Sequence, residues 1–362
     1  MRKAAMRSRV RRRYLVAGIS ALAAIILVAG CSSPTESGGS GPSGSGTAGA
    51  GGSTTTVRYV VQAGNVEVLP IYVAKYMGFA EKYGIDLQFV TSQNPIIPLV
   101  SGSGDIGDPT GTLVIEARSQ GNDVKVAATM MSGNPQPLMV APNVNVPINS
   151  WPATFKALAG KIVGTTALGG GLDNIMKYAM SLAGVNPKTG FTDVATGSGG
   201  GQAAAFKTGR IDAGLAAPPL AQVWAENGTA KIAYDFTKAK GPASLNAPAN
   251  LVAVSEKFAA QNPTAVRAFL NMLVAADKYI SDPANLSKVV SIGLQYLAQG
   301  DSKSAVTEAT QAMIPLLQAP CFTQTQFDGA YDQAKVDNLL KNPVTYDETL
   351  DKVEQLPQCG GS

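Results

Sequence analysis

Short apolar runs alternate with segments of helical periodicity along much of the chain. Residues 57–62 and 85–90 are rich in strand-forming side chains, and residues 69–83 between them carry apolar side chains at helical spacing. Pro70 lies in the first turn of this helix and Gly84 lies just beyond its end. A strand–helix–strand series of this length predicts a right-handed βαβ unit with parallel strands.

The same alternation continues towards the C-terminus and predicts an α/β fold. Residues 209–214 (GRIDAG) echo residues 104–107 (GDIG), which indicates two similarly built halves. The remaining residues, 281–357, are expected to be mostly helical and to pack back on the first half. Further strands are predicted at residues 105–107, 124–129, 161–165, 192–195, 231–235 and 251–254.

The segment that organises the second half joins the strand at 161–165 to a helix through three glycines, Gly169, Gly170 and Gly171. Asp173 lies near the start of that helix. A glycine-rich turn into a helix leaves backbone N–H groups unpaired at one spot, which suits an anion or the polar end of a ligand. A tight scaffold turn explains the same glycines, so both interpretations stay open here.

A formal G-x-G-x-x-G pattern occurs at Gly102, Gly104 and Gly107. A dinucleotide site needs this pattern to follow a strand and open a helix. Here it follows an apparent short helix at 95–100, and the next helix begins only near Thr110. The pattern therefore does not indicate dinucleotide binding.

Composition excludes several classes of function. The chain has 362 residues and a formal charge of +4, but seven of its basic residues lie in the first 30, which leaves 22 basic against 25 acidic residues beyond them. This balance does not favour nucleic-acid binding. Histidine is absent, which removes the commonest general base and metal ligand. We expect no catalytic residue, no metal and no cofactor.

The N-terminal segment has the pattern of an export signal. A basic start is followed by an apolar run at residues 14–30, which is short for a membrane span of roughly 20 residues. Residues 32–56 are rich in Gly and Ser and are expected to form a flexible tether. The folded body is expected to begin near Val57.

The end of the apolar run, residues 27–31 (LVAGC), resembles the bacterial lipobox. That resemblance implies lipidation of Cys31 and anchoring at the outer face of the cell membrane. Residues 11–16 (RRRYLV) also resemble a twin-arginine export motif but lack its usual lysine. The export route, general secretory or twin-arginine, stays open.

Three segments, at residues 69–90, 101–130 and 158–184, resemble in order and spacing the substrate-binding proteins of ABC importers for nitrate, sulfonate, taurine and thiamine precursors. The resemblance covers roughly residues 57–288. It implies a periplasmic-binding-protein type II fold, in which two α/β lobes joined by a hinge close over a ligand. The implied partners are a small-molecule ligand and the permease and ATPase subunits of the importer.

Ligands of open α/β sheets bind beyond the carboxyl ends of the strands. The loops expected there supply side chains for hydrogen bonds and backbone N–H groups at helix starts, although each polar residue could instead serve as a cap or turn. The candidate ligand-binding residues are Asn65, Glu67, Thr110, Ser132, Asn134, Gly169, Gly170, Gly171, Asp173, Ser198 and Pro218.

None of these loops contains Lys or Arg. A sulfonate would have to bind through helix N-termini alone, whereas a neutral or amine-bearing heterocycle, such as a thiamine-precursor pyrimidine, is compatible with Glu67. Tyr59, Tyr72 and Trp224 are candidates to stack on a ring.

The expected organisation is a signal peptide at residues 1–30, a linker at 31–56, a first lobe at 57–140 plus 250–362, and a second lobe at 141–249. The outward crossing between lobes is expected near 140–149 and the return near 241–250. Two cysteines remaining in an exported chain, Cys321 and Cys359, predict a disulfide. We expect a monomer.

Three functions compete at this point. The first is an extracytoplasmic solute-binding lipoprotein that delivers a sulfonate-like or heterocycle-like solute to an ABC importer. The second is a surface sensing or interaction lipoprotein without transport. The third is an enzyme on the same fold, but the resembling pyrimidine synthase depends on histidine and a cysteine-rich iron motif, and neither occurs here.

Overall fold

The structure is a computed structural model that describes residues 54–62, 64–246, 248–317, 321–336 and 338–351. The predicted signal peptide, nearly all of the predicted linker, the lipidation site Cys31 and the cysteine Cys359 lie outside the described residues. Within those residues, no helix is long and apolar enough to cross a membrane.

Ten strands of the described residues form two five-stranded sheets. Their order is β2-β1-β3-β10-β4 in the first sheet and β7-β6-β8-β5-β9 in the second. The first sheet and the helices packed on it are called the first lobe, and the second sheet with its helices the second lobe. The strands are β1 (Thr55–Val61), β2 (Ile85–Thr91), β3 (Ile106–Gly107), β4 (Val124–Thr129), β5 (Leu138–Val140), β6 (Ile162–Thr165), β7 (Thr192–Ala195), β8 (Ala213–Leu215), β9 (Lys231–Tyr234) and β10 (Leu251–Ser255).

The α-helices pack around these sheets and follow most of the strands in sequence. In chain order they are α1 (Leu69–Tyr76), α2 (Phe79–Lys82), α3 (Ile96–Ser101), α4 (Gly111–Ser119), α5 (Ala153–Lys156), α6 (Gly171–Leu182), α7 (Gly200–Lys207), α8 (Leu220–Glu226), α9 (Glu256–Gln261), α10 (Pro263–Ser281), α11 (Leu286–Tyr296), α12 (Lys303–Met313), α13 (Gln324–Val336) and α14 (Tyr346–Thr349).

Both sheets are mixed, which corrects the expectation of parallel strands only. The pairs β1–β2, β1–β3, β6–β7 and β6–β8 are parallel, whereas β10 and β5 run antiparallel to their neighbours. β5 is the first strand of the second sheet and β10 is the first strand after the chain returns. Because neither is reached by a crossover helix within its own sheet, neither is constrained to be parallel.

The position of the outward crossing also differs from the expectation. β5 ends at Val140 and pairs with β8 and β9, so the chain leaves the first sheet between Thr129 and Leu138 rather than near 140–149. The return lies between Tyr234 and Leu251, where it was expected. The predicted lobe boundary at 140/141 therefore falls just after β5.

The single helix predicted at 69–83 is two helices. α1 ends at Tyr76, and Gly78 takes a left-handed conformation, with φ of 76°, before α2 begins. A residue with a side chain would be strained in that conformation, whereas glycine adopts it readily. Periodicity alone did not reveal the break because the apolar side chains on both sides of it face the same core.

The first sheet is buried on both faces. In β1, Tyr59 and Val61 belong to one apolar cluster and Val60 to the cluster on the opposite face. This two-sided burial explains why the strand reads as a nearly continuous apolar run. The second sheet has its own apolar cluster, in which Phe155 and Tyr234 are fully buried.

The C-terminal helices contact both lobes, rather than only the first. α12 packs on α11 and on α8 of the second lobe, and α13 packs on α4 and on α6. The Ser302 hydroxyl at the start of α12 donates to Glu226 Oε2 at the end of α8, at 2.5 Å. Cys321, just before α13, is disulfide-bonded; because Cys359 is not described, its pairing with Cys321 stays a prediction.

Asp277 on α10 is an ionisable group in the core of the first lobe. Its side chain is buried, and neither carboxylate oxygen accepts a hydrogen bond. Burial raises its pKa well above the usual value. Because the folded pKa exceeds the unfolded one, Asp277 contributes most to stability below the unfolded pKa, and that contribution is lost as pH rises.

We therefore expect Asp277→Asn to stabilise the protein near neutral pH and above. A gain of about 1 kcal/mol would raise Tm by roughly 2–4 °C, and the gain should vanish near pH 4. Thermal unfolding across pH measures it. Asp123→Asn changes an exposed carboxylate and is the matched control. Equal Tm values for Asp277→Asn and the wild type at every pH would contradict the expectation.

Candidate functional site

A cavity of about 440 Å³ lies between the two sheets, where loops from both lobes converge. This volume is in the range of small-molecule sites. The polar and charged residues that line it are Gln62, Asn65, Glu67, Gln93, Asn94, Asp108, Thr110, Gln136, Thr166, Ser198, Gln202 and Asn250. The other lining residues are Gly64, Pro95, Pro109, Leu113, Ala167, Gly170, Gly171, Leu172, Gly197, Gly199, Ala217 and Leu220.

Glu67 forms the centre of one wall. It lies in a short 3-10 helix, Val66–Val68, that follows β1, and its side chain has no exposed surface. Asn65 positions it twice, because its Oδ1 accepts from the Glu67 N–H at 2.7 Å and its Nδ2 donates to Glu67 Oε2 at 2.6 Å. Gln136 Nε2 donates to the same Oε2 at 3.1 Å. Glu67 Oε1 has no hydrogen-bond partner.

Asp108 is the second carboxyl of this wall and directly follows β3. Asn250 Nδ2, from the return crossing, donates to the Asp108 backbone oxygen at 3.2 Å and to its Oδ2 at 3.3 Å. Asp108 Oδ1 has no partner. The Tyr59 hydroxyl lies close enough to lower the pKa of this carboxyl, although it does not reach hydrogen-bond geometry.

Burial changes the acidity of both carboxyls. Desolvation raises the pKa of Glu67 to about 7, against the opposing effect of the hydrogen bonds from Asn65 and Gln136, and the charge of Asp108 raises it further. Desolvation likewise raises the pKa of Asp108 to about 7, opposed chiefly by the hydrogen bond from Asn250. No Lys or Arg lines the cavity among the described residues.

Two helix N-termini meet at the junction of the lobes. Thr110 precedes α4 of the first lobe, and Gly171 is the first residue of α6 of the second. The backbone of Gly171 approaches Thr110 so closely that a methyl group at Gly171 would overlap the Thr110 side chain. A glycine is therefore needed for this approach.

One part of the glycine-rich turn lines the cavity, and another part stabilises the turn itself. Gly170 and Gly171 line the cavity, whereas Gly169 and Asp173 do not. Asp173 Oδ2 accepts from the Gly169 N–H at 2.8 Å and pairs with Lys177 at 2.7 Å. The carboxylate thus stabilises the turn from within, next to the start of α6.

Three other predicted residues also lie outside the cavity lining. Ser132 donates from its hydroxyl to Leu316 O at 3.2 Å, and Asn134 Oδ1 accepts from the Gln136 N–H at 2.9 Å. Asn134 therefore shapes the turn that presents Gln136. The Pro218 carbonyl accepts from the Val66 N–H at 3.1 Å and so joins the second lobe to the residue beside Glu67.

Six predicted residues line the cavity: Asn65, Glu67, Thr110, Gly170, Gly171 and Ser198. The lining residues Gln136 and Asn250 were not among the predicted ones, although Asn250 stands at the predicted return crossing. None of the three aromatic candidates lines the cavity. Tyr59 stacks on Phe269, Tyr72 stacks on Phe89, and Trp224 packs edge-on against Phe206.

A second cavity, of about 570 Å³, is bounded by α13 and residues 344–347. The charged side chains along it, Asp328, Asp332 and Lys335 among them, are exposed, and Asp332 pairs with Lys335. The cavity between the sheets differs because buried polar atoms without partners line it. We therefore take the cavity between the sheets as the candidate site.

Solved structures share the fold at low sequence identity. The aliphatic sulphonate-binding protein SsuA of Escherichia coli aligns with a TM-score of 0.66 and 18% identity, over 83% of this chain and 93% of that protein. The nitrate-binding protein NrtA of Synechocystis PCC 6803 aligns with a TM-score of 0.58 and 17% identity, over 71% of this chain and 70% of that protein. The expectation of a periplasmic-binding-protein fold is thereby confirmed.

The fold also occurs in an enzyme. A mutant of DszB, in complex with biphenyl-2-sulfinic acid, aligns with a TM-score of 0.57 and 17% identity over 82% of this chain and 96% of that protein. Likeness of fold alone therefore does not distinguish binding from catalysis.

Comparison by sequence gives the family. No curated protein matches the chain. Residues 65–285, more than half of the chain, match the family described as NMT1/THI5 like. This range includes Glu67, Asp108 and the Gly170–Gly171 turn, so the candidate site lies within the matched region. The chain therefore belongs to the NMT1/THI5-like family.

Proposed function

We propose that the protein is an extracytoplasmic solute-binding lipoprotein, which captures a small organic solute between its lobes and delivers it to an ABC importer. The observation that carries the proposal is the cavity of about 440 Å³, which both lobes line and in which buried polar atoms lack partners. The fold shared with SsuA and NrtA supports it, as do the export signal and lipobox-like segment of the sequence.

The contacts between the lobes suggest how capture works. A solute that touches loops of both lobes stabilises their closed arrangement, and this arrangement is then available to the permease. The approach of Gly171 to Thr110 and the hydrogen bond from Val66 to Pro218 join the lobes beside the cavity. α12 and α13 contact both lobes, so they restrict how the lobes move.

Native mass spectrometry of the purified full chain tests for capture. We expect a low-mass compound to co-purify and to bind saturably in calorimetry when returned to protein from which it was removed. Failure of every compound in a metabolite extract to bind would contradict solute binding.

Uptake by cells distinguishes transport from sensing. Cells that lack this chain should lose uptake of the recovered compound, and the wild-type chain should restore it. Unchanged uptake would favour a sensing lipoprotein over an importer component.

We expect Gly171→Ala to weaken binding of the recovered compound at least about tenfold, a loss of about 1.4 kcal/mol, because the added methyl holds α6 away from Thr110. Calorimetry measures the affinity, and small-angle scattering measures the compaction on binding. The Tm of the solute-free protein should stay near that of the wild type, since the change affects only the contact between lobes.

Gly200→Ala is the matched control, because a methyl group there meets open space at the start of α7. It should bind as the wild type does. Equal affinity and equal compaction in Gly171→Ala would show that this approach of the lobes does not contribute to binding.

A further inference from the structure

Each of three amide side chains at the first-lobe wall donates at least one hydrogen bond within the protein. Asn65 Nδ2 and Gln136 Nε2 both donate to Glu67 Oε2, and Asn250 Nδ2 donates to Asp108. The two carboxyls thereby engage the N–H groups of three amides. These hydrogen bonds limit which groups of the wall are left to form hydrogen bonds with a solute.

Among the described residues that line the cavity, every buried side-chain nitrogen or oxygen without a hydrogen-bond partner is an oxygen. Within the described residues, four side-chain oxygens with almost no exposed surface have no hydrogen-bond partner and belong to residues that line the cavity: Glu67 Oε1, Asp108 Oδ1, Gln136 Oε1 and Asn250 Oδ1. The Thr110 hydroxyl is a fifth buried group without a partner. A buried acceptor without a partner destabilises the solute-free protein, so a solute that donates hydrogen bonds gains most here.

The helix starts that could hold an anion already lie next to carboxylates of the protein. Asp173, in the first turn of α6, is almost fully buried and accepts from the Gly169 N–H. Asp108 lies three residues before the first residue of α4. The charge of Asp173 is paired with Lys177, but a bound sulfonate or nitrate would approach Asp108 without a Lys or Arg among the described lining residues to offset the repulsion.

We infer that the cleft selects a small organic cation that carries several N–H donors, such as an amidine, guanidine or protonated amine, in preference to a sulfonate or nitrate. This substrate class rests on the proposed solute-binding function and goes beyond it. Glu67 and Asp108 are the specificity-determining residues, since they supply both the negative charge and two of the unpaired oxygens. Gln136 and Asn250 supply neutral acceptors beside them.

Binding of such a cation depends on pH. The two carboxyls interact electrostatically with each other. The other ionisable groups that interact with this pair are the Tyr59 hydroxyl from β1 and the Tyr72 hydroxyl from α1. Because burial raises the pKa of both carboxyls to about 7, a bound cation displaces protons below that pH. Affinity should therefore rise as pH increases towards about 7, by about tenfold per unit for each proton released.

The test compares matched probes on the purified full chain by calorimetry near pH 8. Benzamidine and agmatine represent organic cations, benzenesulfonate and nitrate represent anions, and benzamide is the neutral counterpart of benzamidine. We expect at least one cation to bind at least about tenfold more tightly than either anion, a difference of about 1.4 kcal/mol. Lowering the pH to about 5.5 should weaken the binding of the cation and not the binding of the anions.

Glu67→Gln should weaken the binding of the cation at least about tenfold, because it removes a charge and turns an acceptor into a donor at nearly constant shape. Asp108→Asn should act in the same way. Glu81→Gln alters an exposed carboxylate on α2 and should leave the affinity unchanged.

The solute-free variants provide a second readout that confirms their folding. The contribution of Glu67 to the stability of the wild type is expected to fall as pH rises from about 4.5 to 7, because its buried carboxyl then ionises without a partner cation. We expect Glu67→Gln to have a higher Tm than the wild type near pH 8 and an equal Tm near pH 4. Higher stability combined with weaker binding separates loss of recognition from loss of fold.

Tighter binding of benzenesulfonate or nitrate, or an unchanged cation affinity in Glu67→Gln, would overturn the substrate class and leave the solute-binding function intact. Binding of no probe would also overturn the substrate class. If, in addition, no compound co-purifies with the wild-type chain, the solute-binding function is overturned as well.

Discussion

The structure depends on the chain passing twice between two sheets. The first passage ends in β5 and the second in β10, and each of these strands lies inside its sheet rather than at an edge. The chain therefore passes from one lobe to the other twice, but each lobe keeps its own core. The polar loops at the ends of the strands face a common space. Asn250, which lies on the second passage, supports Asp108 in the wall of that space.

Patterns of apolar residues predicted eight of the ten described strands and most helices, because those patterns report burial, but the three-residue strands β5 and β8 were not predicted. The strands at 124–129 and 192–195 have the predicted bounds, and the helix after Gly170 begins where the glycines indicated. The direction of β5 and β10 could not be predicted, since it depends on how the chain enters each sheet. The break at Gly78 was equally hidden, because α1 and α2 face the same core.

The sequence predicted those site residues whose role depends on their position in a segment that follows a strand. Glu67 and Thr110 lie in segments that follow strands and they line the cavity, whereas Ser132 and Asn134 also follow a strand but hold neighbouring segments in place. Gln136 was not predicted because its role depends on a hydrogen bond across 69 positions of sequence, to Glu67. Such long-range pairing leaves no periodic signal along the chain.

The contact between Gly171 and Thr110 has a consequence for the energetics of closing. One partner is bare backbone, and the other is a β-branched side chain whose χ1 angle is already restricted. Bringing them together therefore orders almost no side-chain rotamers, and little conformational entropy is lost at this point of the junction. In the proposed solute-binding function, closing at this point then costs little entropy, so more of the binding free energy of a solute is left to favour the closed arrangement.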